Sequence, residues 1–143
     1  MLPGSDFIHS VIQFQYTGWP DFGAPTDTKS IIDLVSELKK KVTHLRKKEC
    51  RVLVHCSAGV GRTGTFISLY QFMEILDEKV PEYKRLQRLS PGKSEDIEEM
   101  AIDIFNHVFS LRKQRCEMVC SESNRFIYFS GRIIYHLKIN PIQ

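Results

Sequence analysis

No apolar run in this sequence approaches the roughly 20 residues needed to cross a bilayer. The opening stretch Met1–Ser10 also lacks the charged-then-apolar order of a secretory leader. The expectation is a soluble, cytoplasmic chain, with no membrane insertion by this segment. Cysteine is sparse: Cys50, Cys56, Cys116 and Cys120 lack the density of a small secreted disulfide scaffold, so free thiols are expected. Paired CxxC or HxxxH units are missing too, so neither a metal nor a cofactor is expected. Aromatic residues do not interleave with the basic clusters Lys39-Lys40-Lys41, Arg46-Lys47-Lys48 and Lys84-Arg85. A stacking platform for nucleic acid is therefore absent, and no nucleic-acid partner is expected.

What is present has the make-up of one ordinary globular domain over residues 1–143, with 42% hydrophobic and 26% charged residues. The net charge of +3 reads as solvated helix ends and loops. Its functional alternative is a field that draws in anionic, phosphorylated protein segments.

Along the chain, Ile12, Phe14 and Tyr16 alternate on one face of Val11–Tyr16, as in a strand. Gly18-Trp19-Pro20-Asp21-Phe22-Gly23-Ala24-Pro25 is too rich in Gly and Pro to continue a strand or a helix. Thr26 or Asp27 can then cap a helix with the stripe Ile31, Val35, Leu38, Val42 and Leu45. The run Arg51–His55 reads as a second strand, followed by a glycine-rich turn and an apolar helix from about Thr65 to Leu76. After Glu78 the chain through Pro81, Pro91 and Gly92 reads as irregular. Ser94 with Glu95 and Asp96 restarts a helix carrying Ile97, Ala101, Ile104, Val108 and Leu111, and a last helix is expected over about 123–137.

The chemistry concentrates at His55-Cys56-Ser57-Ala58-Gly59-Val60-Gly61-Arg62-Thr63-Gly64. Cys56 precedes a run of backbone amides leading into a helix N-terminus, where orphan N–H groups and the macrodipole favour negative charge. That field, with Arg62 and His55 beside it, lowers a thiol pKa, so Cys56 is expected to be a thiolate near neutral pH. Five residues separate Cys56 from Arg62. A loop of Ser57, Ala58, Gly59, Val60 and Gly61 can close round a tetrahedral anion, with the Arg62 guanidinium as a planar clamp on two oxygens. Phosphate is the expected guest. A nucleotide-binding loop of the form GxxxxGK[ST] is disfavoured, because no lysine follows a glycine here. A lone cysteine is more often a small buried hydrophobe. Such a residue does not require His before it, three glycines after it and Arg at the sixth position.

These residues resemble the HCxAGxGR[ST]G signature of the cysteine-dependent, tyrosine-specific protein phosphatases. Trp19-Pro20-Asp21 resembles that family's mobile WPD loop. Ile102-Asp103-Ile104-Phe105, with Leu111-Arg112-Lys113-Gln114-Arg115 and Met118-Val119, resembles the helix before its glutamine-bearing loop. The resemblance implies an α/β fold: a twisted, mostly parallel or mixed central sheet flanked by helices, with the phosphate loop between a strand and a helix. It implies proteins containing phosphotyrosine as substrates, Cys56 as nucleophile, and Arg62 with the loop amides as the phosphate clamp. It further implies Asp21 as general acid and then base, with Trp19 supporting its loop. Thr63 is implied as donor to the cysteine sulfur, and His55 as a support of the loop. Without the resemblance, Asp21 reads as a turn residue and His55 as a satisfied histidine at a strand end. Arg115 reads equally as a solvated helix-end charge or as the family's brace behind the phosphate loop.

The sequence departs from the pattern where the family usually carries Gln-Thr-x-x-Gln. Cys120-Ser121-Glu122-Ser123-Asn124 stands there instead. A thiol offers no amide, and Asn124 is one methylene shorter than Gln, so positioning of the hydrolytic water is expected to suffer. This keeps open an alternative: a slow or inactive module that captures phosphotyrosine. Cys120 also introduces a thiol that oxidation would join to Cys56 if the two lie close, against the simpler reading of an inert buried cysteine. The match spans nearly the whole chain and corresponds to the second half of the family's domain. The family's phosphotyrosine-recognition loop and the Glu that braces its arginine have no counterpart here.

Overall fold

The computed structural model describes residues 10–20, 23, 25, 27–45, 50–89 and 103–120. They form three helices: α1 (Thr28–Leu45), α2 (Gly61–Leu89) and α3 (Ile104–Gln114). The α1 start follows from Asp27, whose Oδ1 accepts from the amide N–H groups of Lys29 at 3.0 Å and Ser30 at 3.4 Å. The Ser30 hydroxyl donates to the other carboxylate oxygen of Asp27. These bonds satisfy donors that the first turn of a helix leaves without partners. Asp103 does the same for α3, accepting from the Asn106 amide at 2.9 Å.

The core is built on two faces of α2. Leu69, Met73, Leu76 and Val80, spaced four, three and four apart, meet Ile31, Ile32 and Val35 of α1, with Trp19 at the margin. Burying side chains of this kind stabilises by about 1.5–3 kcal/mol apiece. On the other face Phe72 meets Val108 and Leu111 of α3, and Met118 and Val119 beyond it. The expected α1 stripe holds at Ile31, Val35 and Leu38, which are buried, while Val42 and Leu45 are only half-buried. Lys39 of α1 pairs with Asp77 of α2 at 2.6 Å. A partly exposed pair of this kind adds about 0–1 kcal/mol, so apolar contact holds the two helices together.

The expected α/β architecture does not hold. Among the described residues there is no strand and no sheet. The alternating segment 11–16 and the run 51–55 take neither helical nor strand structure. Alternation marks a chain that can line one face of a sheet, but a strand exists only where a neighbour completes its ladder of N–H and C=O bonds. No described segment does so. Val11 is 86% exposed and Leu53 is 88% exposed, so their apolar side chains cover no sheet face.

The irregular stretch expected after Glu78 is also corrected, because α2 continues through Pro81 to Leu89. Proline removes one helix N–H and costs a helix interior about 3 kcal/mol. Flanking contacts offset this. Val80 is buried in the core, and Arg85 grips Glu82 with two nitrogens at 3.0 and 2.7 Å. The helix restart at Ser94 and the helix over 123–137 lie outside the described residues. Among the described residues no helix is long and apolar enough to cross a membrane.

A polar contact joins α2 to α3. Ser68 is fully buried and donates its hydroxyl to the Gly64 carbonyl at 2.8 Å. The Oγ then accepts from His107 Nε2 at 3.1 Å, which assigns the Nε2–H tautomer to a ring tilted against Phe72. Burial holds the His107 pKa below the ordinary histidine value. The unfolded chain therefore binds a proton more readily than the native one below about pH 6.5. Native stability should fall as pH drops through that range. His107→Gln should flatten the dependence in urea unfolding measured from about pH 5 to about pH 8. An equally steep dependence in the variant would contradict this assignment.

Candidate active site

The chain bends through residues 57–60 and enters α2 at Gly61, with no acidic residue in the first turn of the helix. The N-terminal dipole of such a helix favours an anion. Gly59 takes φ +72°, in the left-handed region where glycine carries no penalty. This bend turns the loop back on Cys56, whose Sγ accepts from the Gly59 amide at 3.2 Å and from the Thr63 hydroxyl at 3.1 Å.

Two effects compete at this sulfur. Partial burial acts to raise the thiol pKa. The Thr63 hydroxyl and the amides of Thr63, Gly59 and Val60 act to lower it and prevail, so the thiol ionises below its ordinary range.

Support for the loop comes from the turn after α3. Arg115 Nη2 donates to the Ala58 carbonyl at 3.1 Å, and its guanidinium lies under Gly59. The Val60 carbonyl accepts from the amides of Gly64 at 3.0 Å and Val119 at 3.2 Å. Val119 is fully buried against Gly64: a Cβ on Gly64 would lie 2.8 Å from the Val119 nitrogen. On the opposite side, Arg62 Nη2 donates to the Pro20 carbonyl at 2.9 Å. Trp19 anchors that segment. Its indole donates to the Gly23 carbonyl at 3.0 Å, and its ring packs edge-on against Tyr16. A cavity of about 310 Å³ is lined by His55, Cys56, Arg62 and Thr63 together with Tyr16 and Trp19.

The structure thus brings Cys56, Gly59, Val60, Arg62, Thr63 and Arg115 into one cluster, with Ser57 and Ala58 exposed at its rim and Gly61 opening the helix. His55 lines the cavity but is exposed. Cys120 is exposed rather than buried, and none of Cys50, Cys56, Cys116 and Cys120 is in a disulfide. Asp21 and Asn124 lie outside the described residues. Among the described residues no group of three or more His, Cys, Asp or Glu side chains could hold a metal ion. The groups around the sulfur are amide, hydroxyl and guanidinium donors, which suit an oxyanion.

Sequence reasoning missed the packing of Val119 on Gly64 and its amide bond to Val60. Met118-Val119 stood only as part of a motif. The left-handed φ of +58° at Val119 and +61° at Glu117 is not a conformation that a β-branched or a charged residue signals. The small residue at Gly64 was the available clue to a close approach. Gly64→Ala should push Val119 away and destabilise the fold by about 1–3 kcal/mol, read as a lower denaturant midpoint. An unchanged midpoint would show that the loop yields freely.

A family model for protein-tyrosine phosphatase matches residues 4–130. Receptor-type tyrosine-protein phosphatase epsilon of Rattus norvegicus is 36% identical over 122 residues, covering 85% of this chain and 14% of that protein. Receptor-type tyrosine-protein phosphatase C of Rattus norvegicus is 32% identical over 127 residues, covering 88% and 8%. Receptor-type tyrosine-protein phosphatase alpha of Homo sapiens is 28% identical over 127 residues, covering 89% and 13%. The chain thus spans 14% or less of the length of these relatives. A match of this extent, running through the loop that holds the Cys56 sulfur, shows that the chain belongs to the protein-tyrosine phosphatase family.

Proposed function

We propose that this chain hydrolyses phosphotyrosine in proteins through a phosphocysteine intermediate. The observation that carries the reading is the Cys56 sulfur held by the Thr63 hydroxyl and the Gly59 amide at 3.1 and 3.2 Å. Hydrogen bonds to a thiolate stabilise the nucleophile, and a sulfur so stabilised is also a better leaving group. In the first step Cys56 Sγ forms a bond to phosphorus while the bond to the tyrosine oxygen breaks, and Asp21 supplies the proton that oxygen needs. In the second, water attacks phosphorus, Asp21 takes its proton, and the thiolate departs towards the Thr63 hydroxyl. Arg62 and the loop amides hold the equatorial oxygens in both steps. The bond from Arg62 to the Pro20 carbonyl ties the proposed phosphate clamp to the segment that precedes Asp21. Free thiols suit the reducing cytoplasm, where phosphorylated signalling proteins would be met.

By resemblance, Trp19-Pro20-Asp21 and Gln114-Arg115-Cys116-Glu117-Met118-Val119 favour the tyrosine-specific branch over the dual-specificity branch. A second reading rests on Cys120 and Asn124, which replace the amides that would place the hydrolytic water. On that reading the chain captures phosphotyrosine and releases phosphate slowly or not at all.

A quenched single-turnover reaction with a radiolabelled phosphotyrosyl peptide separates these readings. Rapid free phosphate with little label on the protein, abolished by Cys56→Ser, is the result expected of a working phosphatase. Stoichiometric label trapped on the protein after one burst of tyrosine release would favour capture. No release of tyrosine would overturn catalysis by this chain.

A further inference from the structure

We propose that Arg112 is a positioning residue for the Cys56 loop, acting through the turn that follows α3. The inference rests on the proposed function of that loop. Arg112 sits in the last turn of α3, where a cation is ordinarily a solvated complement to the helix dipole. Here its bonds go elsewhere. Nε donates to the Met118 carbonyl at 2.9 Å and Nη2 to the Val119 carbonyl at 2.8 Å, both beyond the helix.

The Met118 carbonyl and the Val119 N–H belong to one peptide unit, planar and trans, so they point in opposite directions. Arg112 holds one end of that unit, and the other end donates to the Val60 carbonyl at 3.2 Å. The same logic applies at the next peptide. With the Val60 carbonyl fixed between the amides of Val119 and Gly64, the Gly61 N–H must face the opposite way, away from Val119. The guanidinium thus sets a peptide plane in the 115–119 turn, and that plane sets one in the loop around Cys56.

The turn needs such a grip. Glu117 and Val119 both adopt left-handed φ, a conformation that neither side chain favours. Two bonds from one rigid fork hold both carbonyls at once. A lysine, with a compact charge on a flexible stem, lacks that planar fork. The next residue, Lys113, lies over the Phe109 ring at 4.6 Å and supplies a control for charge alone. Val35, fully buried between α1 and α2, supplies a control for stability alone.

The test compares Arg112→Ala, Arg112→Lys, Lys113→Ala and Val35→Ala in the full chain. It reads the pH profile of Cys56 alkylation by iodoacetamide and the protection of that sulfur by orthovanadate. Both Arg112 variants should shift the profile to higher pH and raise the half-protecting vanadate concentration about tenfold, the scale of one lost hydrogen bond. Lys113→Ala and Val35→Ala should keep the wild-type profile and protection, although Val35→Ala lowers the unfolding midpoint. Arg112→Lys keeps the charge and reads the loss of the fork even if Arg112→Ala fails to fold. An Arg112→Lys variant with the wild-type profile and protection would overturn the proposal and leave Arg112 a merely structural tie. A wild-type Cys56 that titrates in the ordinary thiol range and gains no protection from vanadate would instead overturn the proposed function, and this inference with it.

Discussion

The Cys56 loop depends on a close approach between backbones, in which the Val119 amide reaches the Val60 carbonyl because Gly64 has no side chain to keep it away. That carbonyl is pinned from two directions, by α2 through Gly64 and by the 117–119 turn through Val119. The apolar cluster of Phe72, Val108, Leu111, Met118 and Val119 presses the turn into place. Core packing and loop geometry are therefore one problem here. Val119, whose side chain packs into the cluster between α2 and α3, also supplies the backbone amide that bonds the loop.

Around that fixed point the electrostatics at Cys56 are a contest that hydrogen bonding wins. A partly buried thiol would resist ionisation, but a hydroxyl and amides within reach of the sulfur favour the anion. They belong to a helix start and a glycine bend, so little reorganisation is needed when charge appears on the sulfur. Arg62 extends the same cluster to the segment containing Trp19 and Pro20. The main anchor of that segment is the burial of Trp19 in the α1–α2 core. The proposed nucleophile and the segment that precedes Asp21 thus rest on the same helix pair.

The helices were legible because their signals are local. The Ile31, Val35 and Leu38 stripe and the Asp27 cap needed no distant partner to be read. The approach of Gly59 to Cys56 was legible in the glycine-rich loop, whereas the bond from Thr63 to the sulfur was read only through the family resemblance. The sheet was misread for the opposite reason: Val11–Tyr16 and Arg51–His55 carry strand patterns, but pairing depends on segments elsewhere. Pro81 was read as a break, yet the buried Val80 and the Glu82–Arg85 pair on either side carry the helix across it. The seat of Val119 on Gly64 was invisible because contact between residues 55 positions apart leaves no periodic trace.

The central claim is that hydrogen bonding, rather than exposure, decides which thiol of this chain is ionised. The direct measurement is the order in which the four cysteines react with iodoacetamide at mildly acidic pH, followed peptide by peptide by mass spectrometry. The account predicts that Cys56 reacts first, although Cys50, Cys116 and Cys120 are all more exposed. A reaction order that follows exposure, with Cys56 last, would contradict it.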